Sequence, residues 1–572
     1  MDRIILKQIS SNEKVFLTDE MNAPEVSSLT ALKGDVLAYQ VAYTKTEEAE
    51  PHLLTCRCGF KVKVRSPLKK YIKVRSVGLV PSEMPVFNTN VFGHDDYVLK
   101  TEPGLYPDPL FEIPGDRVYA KAHKWQSLFV SIRLPKDIPA GEYPVDLFCQ
   151  IADPQWDEKE CKVRFKNGKK GTTLHMTVKV INATTPETDF LFSQWFHGDC
   201  IAEYYGTKVF SEKHWKLLEQ FITTATQNGI NTLLTPIFTP PLDTFVGAER
   251  PTIQLVDIEK DGDKYSFSFQ KFDRWVALCQ KCGVKNFEMA HLFTQWGAEK
   301  TPKIVATVNG KKKRIFGWDV ASDSDEYKNF LSQFLPALIN QIEKNGIKDN
   351  TLFHISDEPN ADHLEHYKKL YTFVKPLLKD FTIIDALSSY DFYKMGAVDG
   401  PIVSINHITP FLENKVDPLF GYYCCGQTHK VSNRFFCMPQ SRNRAIATQL
   451  FKYNLKGFLT WGYNFYFSKG SEHLINPFLI TDAVGSFPSG DSFSVYPGRN
   501  GPIESIRLFV FTQALYDLRA MRLLESMIGH DEVVKIIEEV AGQEITFDEY
   551  PHSDDFTLVL RERINSEIEK RV

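Results

Sequence analysis

The order of apolar and polar positions gives the chain two successive rhythms. From Met1 to about Asn182, short β-branched and aromatic runs (VLAYQVAYT, SLFVSIRLP, YPVDLFCQI, LHMTVKVI) are separated by turn-forming stretches such as IPAGEY and NGKKG. That is the pattern of an antiparallel sandwich. The turn-prone segment NATTPET (182–188) ends it. Beyond Asp189, eight strand-like runs follow: FLFSQWF, NTLLTPIF, NFEMAHLF, TLFHISDEP, TIIDALS, PIVSINHI, FGYYCCG and GFLTWGYNF. They alternate with amphipathic stretches of helical period. Three of these, KHWKLLEQFITTATQNGI, FDRWVALCQKCGV and EYKNFLSQFLPALINQIEKNGI, end at a glycine placed to cap a helix C-terminus, and HLEHYKKLYTFVKPLLKDF and RAIATQLFKYNLKG continue the series. Eight such runs predict an α/β protein built on a TIM-type (β/α)8 barrel. A doubly wound sheet would carry GxGxxG after its first strand, and none is present. The predicted division is an N-terminal antiparallel β-sandwich domain (1–182), a barrel (189–488) and a partly helical C-terminal extension (489–572).

Charge and composition narrow the function. Lys+Arg number 67 against Asp+Glu 72, a net charge of −5 with no basic stripe, so nucleic acid is not an expected partner. No apolar run has signal-peptide or membrane-spanning character, which predicts a soluble, cytoplasmic protein with no membrane partner. The ten cysteines fall irregularly, among them Cys56/Cys58, Cys279/Cys282 and Cys424/Cys425, as expected of reduced thiols. Cys279 and Cys282 have no second pair at zinc-site spacing and are expected to pack against the barrel. Cys424 and Cys425, placed on a strand, should face opposite ways into the core. No metal or other cofactor is expected, and oligomeric state has no sequence signal. Lys311-Lys312-Lys313-Arg314 after Asn309-Gly310 reads as a solvated hairpin turn. Neither GxSxG nor a P-loop occurs.

In a barrel the chemistry sits at the C-terminal ends of the strands. The fourth run ends in His354-Ile355-Ser356-Asp357-Glu358-Pro359. Neighbours on an ideal strand face opposite sides, so both acids serve one site only if the chain bends there, which Pro359 permits. The alternative is that they open the following helix. Other strand ends carry Trp195-Phe196-His197-Gly198-Asp199, His291, Asp385, Asn406-His407 and Trp461-Gly462-Tyr463-Asn464. Flat rings and polar groups converging on one face suit a glycan, with rings against the pyranose and polar side chains on its hydroxyls. Trp195, His291, Asp385, Trp461 and Tyr463 are the expected substrate contacts.

These residues also carry a family resemblance. FHISDEPN, together with GLYPDPL (104–110), GFLTWGYNFY (457–466) and DSFSVYPGRNGPIESIRL (491–508), resembles glycoside hydrolase family 123, the β-N-acetylgalactosaminidases and their relatives. The resemblance implies substrate-assisted hydrolysis with retention, as in a β-N-acetylhexosaminidase. Glu358 would be the general acid/base, and Asp357 would hold the N–H of the substrate 2-acetamido group while its carbonyl oxygen attacks the anomeric carbon. No protein nucleophile is then needed, so the two acids need not flank the bond. From strand-end position, Tyr463 is assigned as hydroxyl donor to the acetamido oxygen and Trp461 as sugar platform. The stretch after Arg507 departs from the family in lacking an acidic EDYE-like run. Two readings compete: a two-carboxylate glycosidase with Asp385 or Glu288 as the distant partner of Glu358, and a non-catalytic glycan-binding protein.

Overall fold

The structure, a computed structural model, describes residues 4–46, 59–87, 92–359, 361–396, 398–553 and 555–572, which leaves Cys56 and Cys58 outside the described residues. The N-terminal part is two five-stranded sheets. One runs in the order Ile4–Ser10, Val36–Lys45, Gln126–Arg133, Ile72–Ser82, Gly104–Glu112; the other in the order Ser28–Lys33, Lys162–Thr184, Gly141–Asp157, Gly59–Arg65, Arg117–Tyr119. Alternate residues of both sheets meet in one core that includes Tyr39, Val41, Phe60, Leu128, Val145 and Val178, the alternation that the sequence pattern of these strands encodes. Two details differ from the sequence expectation. Ser28–Lys33 pairs parallel to Lys162–Thr184, in an otherwise antiparallel sandwich. The stretch NGKKG does not turn: it lies within one strand, as a register shift between Asn167 and Gly171, and the reversal comes earlier, at residues 158–161. Turn chemistry inside a long two-stranded ribbon was absorbed as a bulge.

Each of the eight predicted runs supplies one strand of a closed parallel barrel: Leu191–Gln194, Thr232–Thr235, Asn286–Met289, Thr351–Phe353, Thr382–Leu387, Gly400–Ser404, Phe420–Tyr423 and Gly457–Thr460. The last pairs with the first over four residues, Leu191 with Gly457 through Gln194 with Thr460, which closes the ring. Strands such as TLLT, GPIVS and GFLT are buried at every position. Helices cover one face and inward side chains fill the other, so these strands read as unbroken apolar runs. The predicted helices form at Glu212–Gln227, Gln270–Lys281, Asp325–Lys344, Leu364–Leu378 and Ile446–Lys452. Gly229, Gly283 and Gly346 take the left-handed conformation just past the first three (φ 86°, 93° and 65°). A four-stranded sheet built from Asp257–Asp261, Lys264–Ser268, Ile304–Val308 and Lys311–Phe316 is inserted after the second and third barrel strands. In it Val308 pairs with Lys311 across Asn309-Gly310, both at positive φ, and Lys311 to Arg314 are exposed.

The C-terminal region is not peripheral. After the hairpin Val495–Gly498/Gly501–Glu504 comes the helix Ile506–Ile528, capped by the Ser505 hydroxyl, which accepts from Leu508 N at 3.1 Å. Ile506, Phe509 and Val510 pack on Val36, Ala38, Leu110 and Phe129 of the sandwich. Phe511 stacks on Phe192 of the first barrel strand, with centroids 4.5 Å apart. At the start of this helix Arg507 meets Asp108, both fully buried, with Nε and Nη2 donating to the two carboxylate oxygens at 2.9 Å. The Tyr496 hydroxyl donates to Asp108 at 2.5 Å. The stretch GLYPDPL and two parts of the stretch 491–508, SVYPG and SIRL, thus meet in one cluster. No helix among the described residues is long and apolar enough to cross a membrane.

Removing one partner of a buried ion pair leaves an uncompensated charge, at a cost of about 3–5 kcal/mol. Arg507→Met is therefore expected to lower the thermal unfolding midpoint sharply. Lys179→Ala, which breaks the half-exposed pair to Glu569, should leave it nearly unchanged. Equal midpoints for the two variants in a melting experiment would refute the assignment.

Candidate active site

The fourth barrel strand stops at Phe353, and the chain then bends instead of continuing extended. Its direction is set from below by Asp385 on the fifth strand. That carboxylate accepts from Ile355 N at 3.0 Å, from Ser356 N at 3.3 Å and from the Tyr367 hydroxyl. Ser356 Oγ donates to Thr294 O at 2.8 Å, Trp296 N to Asp357 O at 2.8 Å, and Glu358 N to Ala386 O at 3.1 Å. Held on both sides, Glu358 adopts φ of 45°, a left-handed conformation that costs a β-unbranched side chain on the order of 1 kcal/mol or more. The bend replaces strand alternation, and Asp357 and Glu358 line the same pocket.

The remaining walls come from neighbouring strand ends: Trp195, Leu242, Asp243, Gln295, Trp296, Ala386, Tyr422, Cys424, Cys425, Leu459, Trp461 and Phe487. The Tyr422 hydroxyl donates to Glu358 Oε1 at 2.6 Å. Trp461 Nε1 donates to Asp491 Oδ2 at 2.9 Å, which fixes its ring. Trp296 is 48 % exposed, a large flat ring left at the mouth. Asp243 is a third pocket carboxyl. Its Oδ2 accepts from Gly470 N at 3.2 Å, and its own N–H donates to Gln295 Oε1 at 2.6 Å.

Electrostatics follow from this crowding. Burial pushes Asp357 well above the usual carboxylate range, reinforced by the negative charges of Glu358, Asp385 and Asp243. Burial raises Asp243 to about 6 against the pull of Gly470 N, and burial, with the charge of Asp243, raises Asp491 to about 7. Tyr422 is held well above its ordinary value by burial and the adjacent Glu358. The pocket thus holds two carboxyls, Asp357 and Asp243, pushed above their ordinary range, a condition that favours general acid/base work.

Of the substrate contacts expected from strand ends, the structure brings Trp195 and Trp461 to the pocket with Asp357 and Glu358. It places the other three elsewhere. Tyr463 is fully buried, donates its hydroxyl to Phe221 O at 2.9 Å and stacks on Phe196 behind the barrel. The eighth strand ends at Thr460, so alternation no longer predicts where Tyr463 points. Asp385 is buried beneath the bend, where it meets the backbone N–H groups of Ile355 and Ser356, the Tyr367 hydroxyl and His354 Nδ1. His291 is fully buried, and its ring stacks on His354 with centroids 4.4 Å apart. One donor atom each from His291, His354 and Asp385 lie within 4.8 Å of one another, a grouping that sequence spacing did not reveal. Asp385, however, is already filled by N–H and O–H donors, which fits an organising role. Glu288, proposed as a distant carboxylate, is buried and accepts from Ser193 Oγ at 2.9 Å away from the pocket. Asp199 is committed to Arg250 (2.7 Å) and Asn464 to His197. Cys424 and Cys425 lie beyond the end of the seventh strand, half-buried, and both face the pocket rather than opposite sides of a core. Sequence reasoning missed Asp243, Trp296 and Tyr422. A signal existed for two of them: Trp296 follows His291 on the same loop, and Tyr422 lies one residue before the end of an apolar strand.

The described pocket has one direct consequence for stability. Asp357 has a higher pKa folded than unfolded, so the folded state binds the extra proton. Stability then falls as pH rises from the ordinary carboxylate range through the raised value. Asp357→Asn removes that penalty. The variant is expected to melt higher than the parent, by a margin that widens as pH rises above the ordinary carboxylate range; a margin that shrinks with pH contradicts the burial of Asp357.

Comparison with known proteins supplies the context. The sequence model of "Glycoside hydrolase 123, catalytic domain" matches residues 195–524. Among solved structures, a family 123 glycoside hydrolase from Clostridium perfringens, described in connection with glycolipid glycan hydrolysis, superposes with a TM-score of 0.73 at 17% identity, covering 99% of this chain and 98% of its own. A glycosyl hydrolase family 2 member from Bacteroides cellulosilyticus (TM-score 0.27, 10% identity, 84% and 49% covered) and a family 5 mannosidase from Rhizomucor miehei (0.30, 13%, 58% and 94%) are more distant. No curated protein sequence matches significantly.

Proposed function

Because the chain belongs to glycoside hydrolase family 123, we propose that it is a retaining β-N-acetylhexosaminidase, of β-N-acetylgalactosaminidase type, working by substrate assistance. The observation that carries this is the bend at Glu358, which turns two consecutive acids into one pocket. In the proposed reaction Glu358 protonates the glycosidic oxygen as the bond to the anomeric carbon breaks. The acetamido carbonyl oxygen forms the new bond to that carbon, and Asp357 accepts the acetamido N–H. Glu358, now a carboxylate, takes a proton from water, which opens the cyclic intermediate with net retention. Tyr422 keeps the Glu358 carboxyl oriented, and Trp195, Trp296 and Trp461 offer ring faces to the sugar. The glycan of a glycolipid, the substrate class in the description of the Clostridium perfringens relative, is the natural candidate to test.

A two-carboxylate mechanism loses its earlier candidates, since Asp385 and Glu288 lie outside the pocket. Its remaining partner is Asp243. A panel of aryl glycosides with and without the 2-acetamido group separates the readings. Under substrate assistance only the acetamido sugars turn over. Glu358→Gln should slow poor leaving groups by ~10²–10⁴-fold and activated ones less. Asp357→Asn should slow both alike, because cyclisation needs the oriented amide whatever departs. Equal cleavage of sugars lacking the acetamido group would sink the proposal and make Asp243 the residue to mutate.

The pKa of Asp357 adds a further expectation. Accepting the amide N–H requires its carboxylate, so the acid limb of kcat/KM should lie above the ordinary aspartate range. Asp243 contributes to the upward shift, so Asp243→Asn should move that limb to lower pH. A limb that stays in place in this variant would detach Asp357 from the titration.

A further inference from the structure

Two adjacent thiols open onto the pocket beside Glu358. The seventh strand ends at Tyr423, and the chain turns at Cys425-Gly426. The turn is fixed: Cys424 N donates to Gln427 Oε1 at 2.7 Å, and Asn433 Nδ2 donates to Cys424 O at 2.8 Å. Both cysteines are free and half-buried, and both line the pocket that holds Asp357 and Glu358. The two thiols are therefore neighbours on one wall.

Neighbouring Cα atoms are about 3.8 Å apart, short of the roughly 4.4–6.8 Å usual across a disulfide. The pair is therefore set to persist as a dithiol. Cys424 is held well above the ordinary thiol range by the neighbouring Cys425 thiol and by burial, which leaves it a poor thiolate nucleophile. A chelating reaction that consumes neutral thiols suits this site better than alkylation.

We propose that Cys424 and Cys425 form a dithiol site in the pocket wall that binds a trivalent arsenoxide-class ligand and, once filled, shuts sugar out. In the binding step an organoarsenic(III) oxide, R–As=O, condenses with both thiols. Two S–As bonds form, the As=O and two S–H bonds break, and the protons leave with the oxygen as one water. Arsenic stays trivalent, so no oxidant or reductant is involved. The bridged adduct stands against Tyr422 and Glu358, where the sugar would sit. Formation of the adduct is independent of the hydrolase reading; only the exclusion of sugar rests on it.

The test treats the full chain with stoichiometric phenylarsine oxide and maps the product by intact mass and peptide mass spectrometry. The expected result is one bridged adduct on the Cys424–Cys425 peptide. Turnover of the acetamido glycoside should fall in proportion to that adduct and return with a dithiol but not a monothiol. Cys424→Ser and Cys425→Ser should each lose the bridge and keep, under reagent, the activity each shows untreated. Cys282→Ser, outside the pocket, should remain as sensitive as the parent. A bridge mapped to other cysteines, or full sensitivity in Cys425→Ser, overturns the site. A bridge at Cys424–Cys425 with undiminished turnover overturns the exclusion of sugar. If the parent cleaves no glycoside at all, the hydrolase reading fails, while the mass map still decides the dithiol site.

Discussion

The buried contact between Arg507 and Asp108 ties the three parts of the molecule to one another and to the pocket. Arg507 spends every donor: Nε and Nη2 on Asp108, Nη1 on Gly490 O at 2.6 Å and Arg434 O at 3.5 Å, and Nη2 also on Phe493 O at 2.9 Å. Full satisfaction is what makes such burial tolerable, since desolvating both ions is costly and is offset only by good geometry and further hydrogen bonds. The carbonyls it holds bracket Asp491, whose carboxylate orients Trp461. A second buried cation, Arg434, grips the same segment from the barrel side through Gly462 O (2.6 Å), Asp491 O (2.9 Å) and Gln194 Oε1 (3.1 Å). The pocket wall is therefore built on a strut running from the sandwich through the last long helix. This accounts for a helix Ile506–Ile528 buried on nearly all sides rather than along one stripe.

The bend at the fourth strand is the second constraint, and it works against stability. A left-handed Glu358 and an Asp357 held above its ordinary pKa are both unfavourable in isolation, and they persist because Asp385, Thr294, Trp296 and Ala386 over-determine the backbone on either side. Asp385 does its work entirely from below the pocket. A carboxylate that accepts from two consecutive backbone N–H groups and a tyrosine hydroxyl fixes a turn more tightly than packing alone.

The barrel was legible because its strands are buried on both faces and its helices carry periodic apolar stripes ended by glycine. The eight runs and the helices followed from those local rules, and the strand-end rule pointed to Asp357 and Glu358, which line one pocket. What escaped lies where the chain leaves regular structure. Tyr463 was assigned by alternation that stops at Thr460. Cys424 and Cys425 were placed back to back on a strand that ends one residue before them. NGKKG has turn composition yet sits as a bulge, because pairing on either side of it continues. The inserted sheet was hidden in loops whose strands are half-exposed and short. His291 and Asp385 were chosen as polar residues near strand ends, but sequence has no measure of depth within a barrel, and depth separates a residue that holds the site from one that meets a ligand.

The balance of donors and acceptors in the pocket bears on what fits it. Among the described lining residues are three carboxyls, Asp243, Asp357 and Glu358, and no lysine, arginine or histidine. Their mutual repulsion is offset by only a few fixed donors, the Tyr422 hydroxyl and Gly470 N. Such a site is short of hydrogen-bond donors and would be worsened by any anion. A ligand that supplies several hydroxyls and one amide N–H meets this deficit, and the N–H favours the charged form of the carboxyl it reaches. Phosphorylated or carboxylated sugars bring the wrong charge, and an unsubstituted hexose brings hydroxyls without the amide. An N-acetylhexosamine brings both, which is why the composition of the walls, independently of the bend at Glu358, supports the reading of an amide-bearing sugar as the substrate.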